Sequence, residues 1–183
     1  MKRSRKLGFI AIVIILLSLV VYLCRIRILA SVWHFRNGYT LAVADYVVPV
    51  PADWYPKSAG NRNKLLVKLD TKSPRLHGDR SPGTSILLLP ERQVDEEQIK
   101  TMFSQEEAFL KRKGTDNFTS RAFDITGEKV ICMGGDQLES NGIHDVNPTT
   151  WHCMSTGGLD IHMIASGADL PQAWDIITHI QKR

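Results

Sequence analysis

The stretch TTWHCMSTGGLDIHMIASG (Thr149–Gly167) decides how the C-terminal half of the chain is built. Two apolar runs flank Gly157-Gly158, the pattern of a β-hairpin. If the glycine pair is a two-residue turn, Thr156 pairs with Leu159 and the register follows. Met154 then opposes Ile161, and Cys153 opposes His162. One face would carry Met154, Leu159, Ile161 and Met163, an apolar set suited to a core. The other would carry Trp151, Cys153, Asp160 and His162.

Cys153 has four readings on this register. Cys132 lies in the preceding run EKVICMGGDQ (Glu128–Gln137), a neighbour that adjacent strands bring within disulfide reach. The pair Cys132–Cys153 would close a loop of about 20 residues and stabilise by roughly 3 kcal/mol. Alternatively, the two are unpaired buried thiols. A metal set would draw on Cys132, Cys153, His162 and His144, without the tight Cys-x-x-Cys spacing of a zinc site. A nucleophile would need a reduced Cys153 thiolate with His162 as its base. Which applies depends on the redox compartment, and that depends on the N-terminus.

MKRSRK is followed by LGFIAIVIILLSLVVYLC (Leu7–Cys24), 18 residues without a charge. As a helix the run spans about 27 Å, close to the roughly 30 Å hydrocarbon core of a bilayer. A cleavable signal has a shorter apolar region and a small-residue cleavage site. Tyr22-Leu23-Cys24-Arg25 offers no small-residue pair, so an uncleaved signal anchor fits better than a released secretory leader. Lys2, Arg3, Arg5 and Lys6 precede the run, and Arg25 and Arg27 follow it. That imbalance favours a cytoplasmic N-terminus and an exported C-terminal domain. The expected organisation is a basic tip and transmembrane anchor over residues 1–36, then an extracytoplasmic domain over 37–183. The expected location is the inner or plasma membrane, crossed once.

The basic pI of about 9.0 does not describe the domain. Seven of the 23 Lys and Arg fall within residues 1–36, which hold no acid. Residues 37–183 keep 16 basic against all 19 acidic residues. Phosphate backbones are bound by clustered Lys and Arg, and no such cluster occurs in the domain, so nucleic acid is not an expected partner.

Working outward, YTLAVADYVVPVPADWYP (Tyr39–Pro56) reads as a strand confined by prolines to an edge or end, with Trp54 anchoring the next turn. Strands follow at Asn63–Asp70 and Thr84–Pro90, around a polar loop at Thr71–Gly83. QVDEEQIKTMFSQEEAFLKRKG (Gln93–Gly114) is a helix: Val94, Ile99, Met102, Phe103, Phe109 and Leu110 form a stripe. Asp95 with Gln98 makes a capping box, and Gly114 suits the C-terminal cap. Phe118–Gly127 and Glu128–Gln137 read as strands, the second with a glycine pair suited to a bulge. Asn141-Gly142 marks a loop, and DLPQAWDIITHIQKR (Asp169–Arg183) closes as a helix capped by Asp169. The order β-β-β-α-β-β-β-β-α predicts an α+β fold, an antiparallel sheet covered by helices.

The VPVPADW strand, the single long helix, the strand meander and the closing PQAWDIITHI helix resemble the PsbP-like superfamily over about residues 40–181. That resemblance implies a binding, assembly or chaperone-like role and carries no catalytic residue onto this chain. The expected function is therefore a membrane-anchored extracytoplasmic module acting through a protein partner, with no cofactor, metal or catalytic site. The alternative is a small exported hydrolase or thiol enzyme using Cys153 and His162.

Overall fold

The computed structural model describes residues 2–59, 63–69, 84–112, 118–136, 149–165 and 168–183. The predicted loops at Thr71–Gly83 and Asn141-Gly142, the Gly114 cap and His144 lie outside them. The chain divides into two units, Met1–Gly38 and Tyr39–Arg183.

The first unit is the helix α1 (Lys2–Asn37). Its arms Ile12–Tyr22 and Arg27–Asn37 meet at 61°. Among the described residues no single helix is long and apolar enough to cross a membrane, although the bent pair passes that test together. The helix stops where Gly38, at φ 70°, donates its N–H to His34 O at 2.8 Å. Glycine holds that left-handed turn without a Cβ penalty.

The second unit is an α+β domain with two antiparallel sheets. A small sheet holds β1 (Thr40–Val43), β2 (Tyr46–Pro49) and β10 (Gln181–Lys182) in the order β1-β2-β10. The large sheet holds β3 (Trp54–Ser58), β4 (Lys64–Lys68), β5 (Ser85–Pro90), β6 (Thr119–Ile125), β7 (Glu128–Asp136), β8 (Thr149–Ser155) and β9 (Leu159–Ala165). Its order is β3-β4-β5-β9-β8-β7-β6. The helices are α2 (Glu96–Arg112) and α3 (Leu170–Thr178).

The main core lies on one face of the large sheet. Leu66, Ile86, Leu88, Ile161 and Met163 are buried there, one per pleat, as a period of two requires. The buried side of α3 supplies Ala173, Trp174, Ile176 and Ile177. Trp151 and Trp174 meet edge to face at 4.9 Å, and the Arg121 guanidinium lies 5.4 and 5.0 Å from their ring centres. Such contacts contribute beyond simple area burial. A second cluster, Ile99, Phe103, Ile131, Met133 and Met154, packs α2 against the opposite face of β7 and β8. The stripe on α2 that the sequence predicts is therefore used at Ile99 and Phe103, while Met102 and Phe109 stay exposed. Its capping box forms as expected: Gln98 N–H donates to Asp95 Oδ1 at 2.7 Å, and Asp95 N–H to Gln98 Oε1 at 3.1 Å.

Several expectations need correction. The single strand over Tyr39–Pro56 is three strands, because Ala44 at φ 49° and Asp45 reverse the chain between the paired residues Val43 and Tyr46. Trp54 begins β3 and is fully buried rather than anchoring a turn. The C-terminal helix stops at Thr178, and Gln181 and Lys182 pair with Val47 and Tyr46. Asp169 is the N-cap residue of α3 as expected, but its carboxylate makes no cap hydrogen bond; it accepts from Lys68 Nζ and Thr84 Oγ1, both at 2.6 Å. Gly134-Gly135 is not a bulge, since β7 pairs continuously from Val130 to Asp136. Glycine is needed at 134 because a Cβ there would run into Thr150 O and the Trp151 ring.

Candidate functional site

The hairpin of β8 and β9 is the centre of the domain, and its register differs from the expected one by a residue. Ser155 and Leu159 flank a three-residue turn, Thr156-Gly157-Gly158, instead of a two-residue one. Ser155 Oγ accepts from Gly157 N–H at 2.9 Å, and Gly158 sits at φ 90°. Gly158 O also accepts from Glu91 N–H at 2.9 Å. Because side chains alternate, the slip moves one strand's residues to the other face. Cys153 therefore opposes Ile161, and His162 opposes His152.

This register separates Cys153 from His162. Cys153 points into the main core, where it is fully buried and linked to Cys132, its partner in the β7–β8 register. The two cysteines are direct partners on neighbouring strands, with Cα atoms 3.9 Å apart. A thiolate at Cys153 with His162 as base is overturned twice, by the bond and by the face. The same bond takes both cysteines out of the metal set considered above. Cys24 is the one free cysteine among the described residues.

The opposite face of the same hairpin holds a group that sequence reasoning passed over. His152 and His162 stack with ring centres 4.2 Å apart and planes 17° from parallel. Beside the stacked pair, on the same face of β9, Asp160 meets a nitrogen of each ring, with the residue 9% exposed. His152 Nε2–H donates to Asp160 Oδ1 at 2.9 Å, and His162 Nε2–H to Asp160 Oδ2 at 3.3 Å. From α2 above, Glu106 Oε2 accepts from His152 Nδ1–H at 2.9 Å. Phe103, one turn earlier, sets its ring edge-on to His152 at 5.0 Å. The packing of α2 on β7 and β8 thus fixes one imidazole from above and from the side.

The electrostatics follow from this geometry. Burial would lower the basicity of His152, but the carboxylates of Asp160 and then Glu106 outweigh it and raise its pKa above the ordinary value. Burial would raise Asp160, but hydrogen bonds from His152 and His162 hold it at about 2. One ligand atom from each of His152, Asp160 and His162 lies within 4.8 Å of the other two. The sequence signal for this group is Asp160-x-His162, two residues that any strand places on one face. His152 joins them only in the observed register, which the two-glycine turn did not reveal.

No family model matches the chain, and no curated protein matches it.

Proposed function

We propose that the chain is a membrane-tethered extracytoplasmic binding or assembly module that acts through contact with a protein partner, without catalysis. The supporting observation is the Cys132–Cys153 disulfide between β7 and β8 of the large sheet. Disulfides form and persist in oxidising compartments and are rare in reducing ones. The basic residues 2–6 and the uncharged run after them give the chain a means of delivering its domain there. In this reading the uncharged run Leu7–Cys24 crosses the inner or plasma membrane once. The PsbP-like resemblance belongs to the same proposal and rests on the helix-and-meander order. The acidic balance of residues 37–183 favours a protein partner over nucleic acid. The partner surface is assigned to the half of the large sheet away from α2. There Leu65, Val67, Leu87 and Leu89 alternate with the core residues of β4 and β5 and stay only partly buried.

Photo-cross-linking amino acids placed at Val67 and Leu87 of the full chain in its membrane test the proposal. One discrete adduct shared by both positions, and missing from Glu97 on α2, is expected. No adduct from either position, or equal adducts from all three, overturns it.

A further inference from the structure

The face of β8 and β9 that turns away from the disulfide has the chemistry of a metal centre. Two imidazoles and one carboxylate converge there, and their ligand atoms lie within 4.8 Å of one another. Zinc binds imidazole nitrogen at about 2.0–2.1 Å and carboxylate oxygen at about 2.0–2.2 Å, which sets tetrahedral ligand atoms roughly 3.3 Å apart. His152 Nε2 lies 2.9 Å from Asp160 Oδ1 and His162 Nε2 lies 3.3 Å from Oδ2, near that spacing, each to its own carboxylate oxygen. To meet at one ion the two stacked rings would splay about their side-chain bonds, on strands that are held by their neighbours in the sheet.

A second, independent feature distinguishes the group from an ordinary ion pair. Metal-binding histidines usually donate their other ring N–H to a carboxylate, which fixes the tautomer and raises ligand basicity. Glu106 does this for His152, holding Nδ1–H at 2.9 Å and directing Nε2 toward Asp160. Phe103 limits the tilt of the same ring. His162, with its side chain 44% exposed, forms the wet side through which an ion would enter.

We propose that His152, Asp160 and His162 bind one divalent late first-row transition-metal ion, of which Zn2+ is the representative, with Glu106 as the carboxylate that orients His152. Two imidazoles suit zinc, copper(II) and nickel(II) better than calcium or magnesium, which take oxygen ligands. The ion takes the place of the protons that His152 and His162 direct at Asp160: the one on His152 Nε2 passes to water, and His162 binds as the neutral ring that carries its proton on Nδ1 instead of Nε2. Three protein ligands leave one position of a tetrahedral ion open on the His162 side. The site rests on side-chain geometry alone and stands whether or not the tethered-module reading holds.

Zn2+ titration of the full chain in detergent, purified without a polyhistidine tag and read by competition with a chelating dye, tests the site. One Zn2+ per chain at micromolar affinity or tighter is expected. His162→Gln, at a position whose side chain is 44% exposed, should weaken binding at least tenfold. Glu106→Gln should weaken it roughly 10–100-fold while all three ligands remain. The Co2+ form of the wild-type chain should show the visible bands of a four-coordinate ion, and the His162→Gln chain should lose them. No binding at 100 μM Zn2+, or equal binding by the wild type and His162→Gln, overturns the proposal.

Discussion

Glu128 ties three distant parts of the domain together. Its carboxylate accepts from Tyr46 Oη–H at 2.6 Å, from Ser155 Oγ–H at 3.1 Å and from Lys182 Nζ. It therefore joins β2, β8 and β10 at the start of β7. Burial would raise its pKa, but the donors Lys182, Tyr46 and Ser155 outweigh burial and hold it below the ordinary 4.5. A carboxyl depressed on folding contributes stability that is present above its unfolded value and lost as pH falls through its folded one. The loss should thus begin below pH 4.5. Tyr46 works in the opposite sense: burial, then the hydrogen bond to Glu128, pushes its pKa to about 12. Its contribution holds below pH 10 and fades as pH approaches about 12. Glu128→Gln should flatten the acid limb of the stability curve. Thermal melts of wild type and variant between pH 3 and 7 check it: their midpoints should converge toward pH 3, and a constant gap across the range would contradict the assignment.

At the scale of elements, the β8–β9 hairpin separates two chemistries. Its core face carries the disulfide and its other face the paired imidazoles, so one register decides both. The disulfide spans a sequence separation of 21. In the chain-entropy model a loop of that length is worth about 3 kcal/mol. Reduction should lower the denaturant midpoint by the equivalent of about 3 kcal/mol, measured by urea unfolding with and without a thiol reductant. An unchanged midpoint would mean that the bond constrains nothing in the unfolded chain. The helix α2 was readable in the sequence because its stripe and its Asp95–Gln98 box are local. The hairpin register was not, because it depends on the Ser155 hydroxyl bracing Gly157 and on Gly158 meeting Glu91, a contact across the sheet. One residue of slip hid His152 and paired Cys153 with the wrong neighbour.

For the molecule as a whole, composition and alternation carried the α+β class and the neighbour relation of Cys132 and Cys153. They did not carry the division of Tyr39–Pro56 into three strands or the short C-terminal strand. Both depend on pairing between chain ends: Lys182 opposes Tyr46, and Arg183 N–H donates to Asp45 O at 2.7 Å. Such pairings leave no local periodicity to read. The metal face was legible only as Asp160-x-His162, since its third ligand comes from another strand and its orienting carboxylate from a helix. In the proposed arrangement the N-terminal run determines the compartment, the compartment oxidises the sulfurs, and the oxidised pair leaves the domain to act through binding.

The cysteines report that chain of cause most directly. Cells making the full chain are quenched in acid, which stops thiol exchange, and the protein is alkylated before and after reduction and weighed. The tethered, exported arrangement predicts that Cys132 and Cys153 take up reagent only after reduction, while Cys24 takes it up in both samples. Alkylation of all three cysteines without reduction would place the domain in a reducing space and contradict the account.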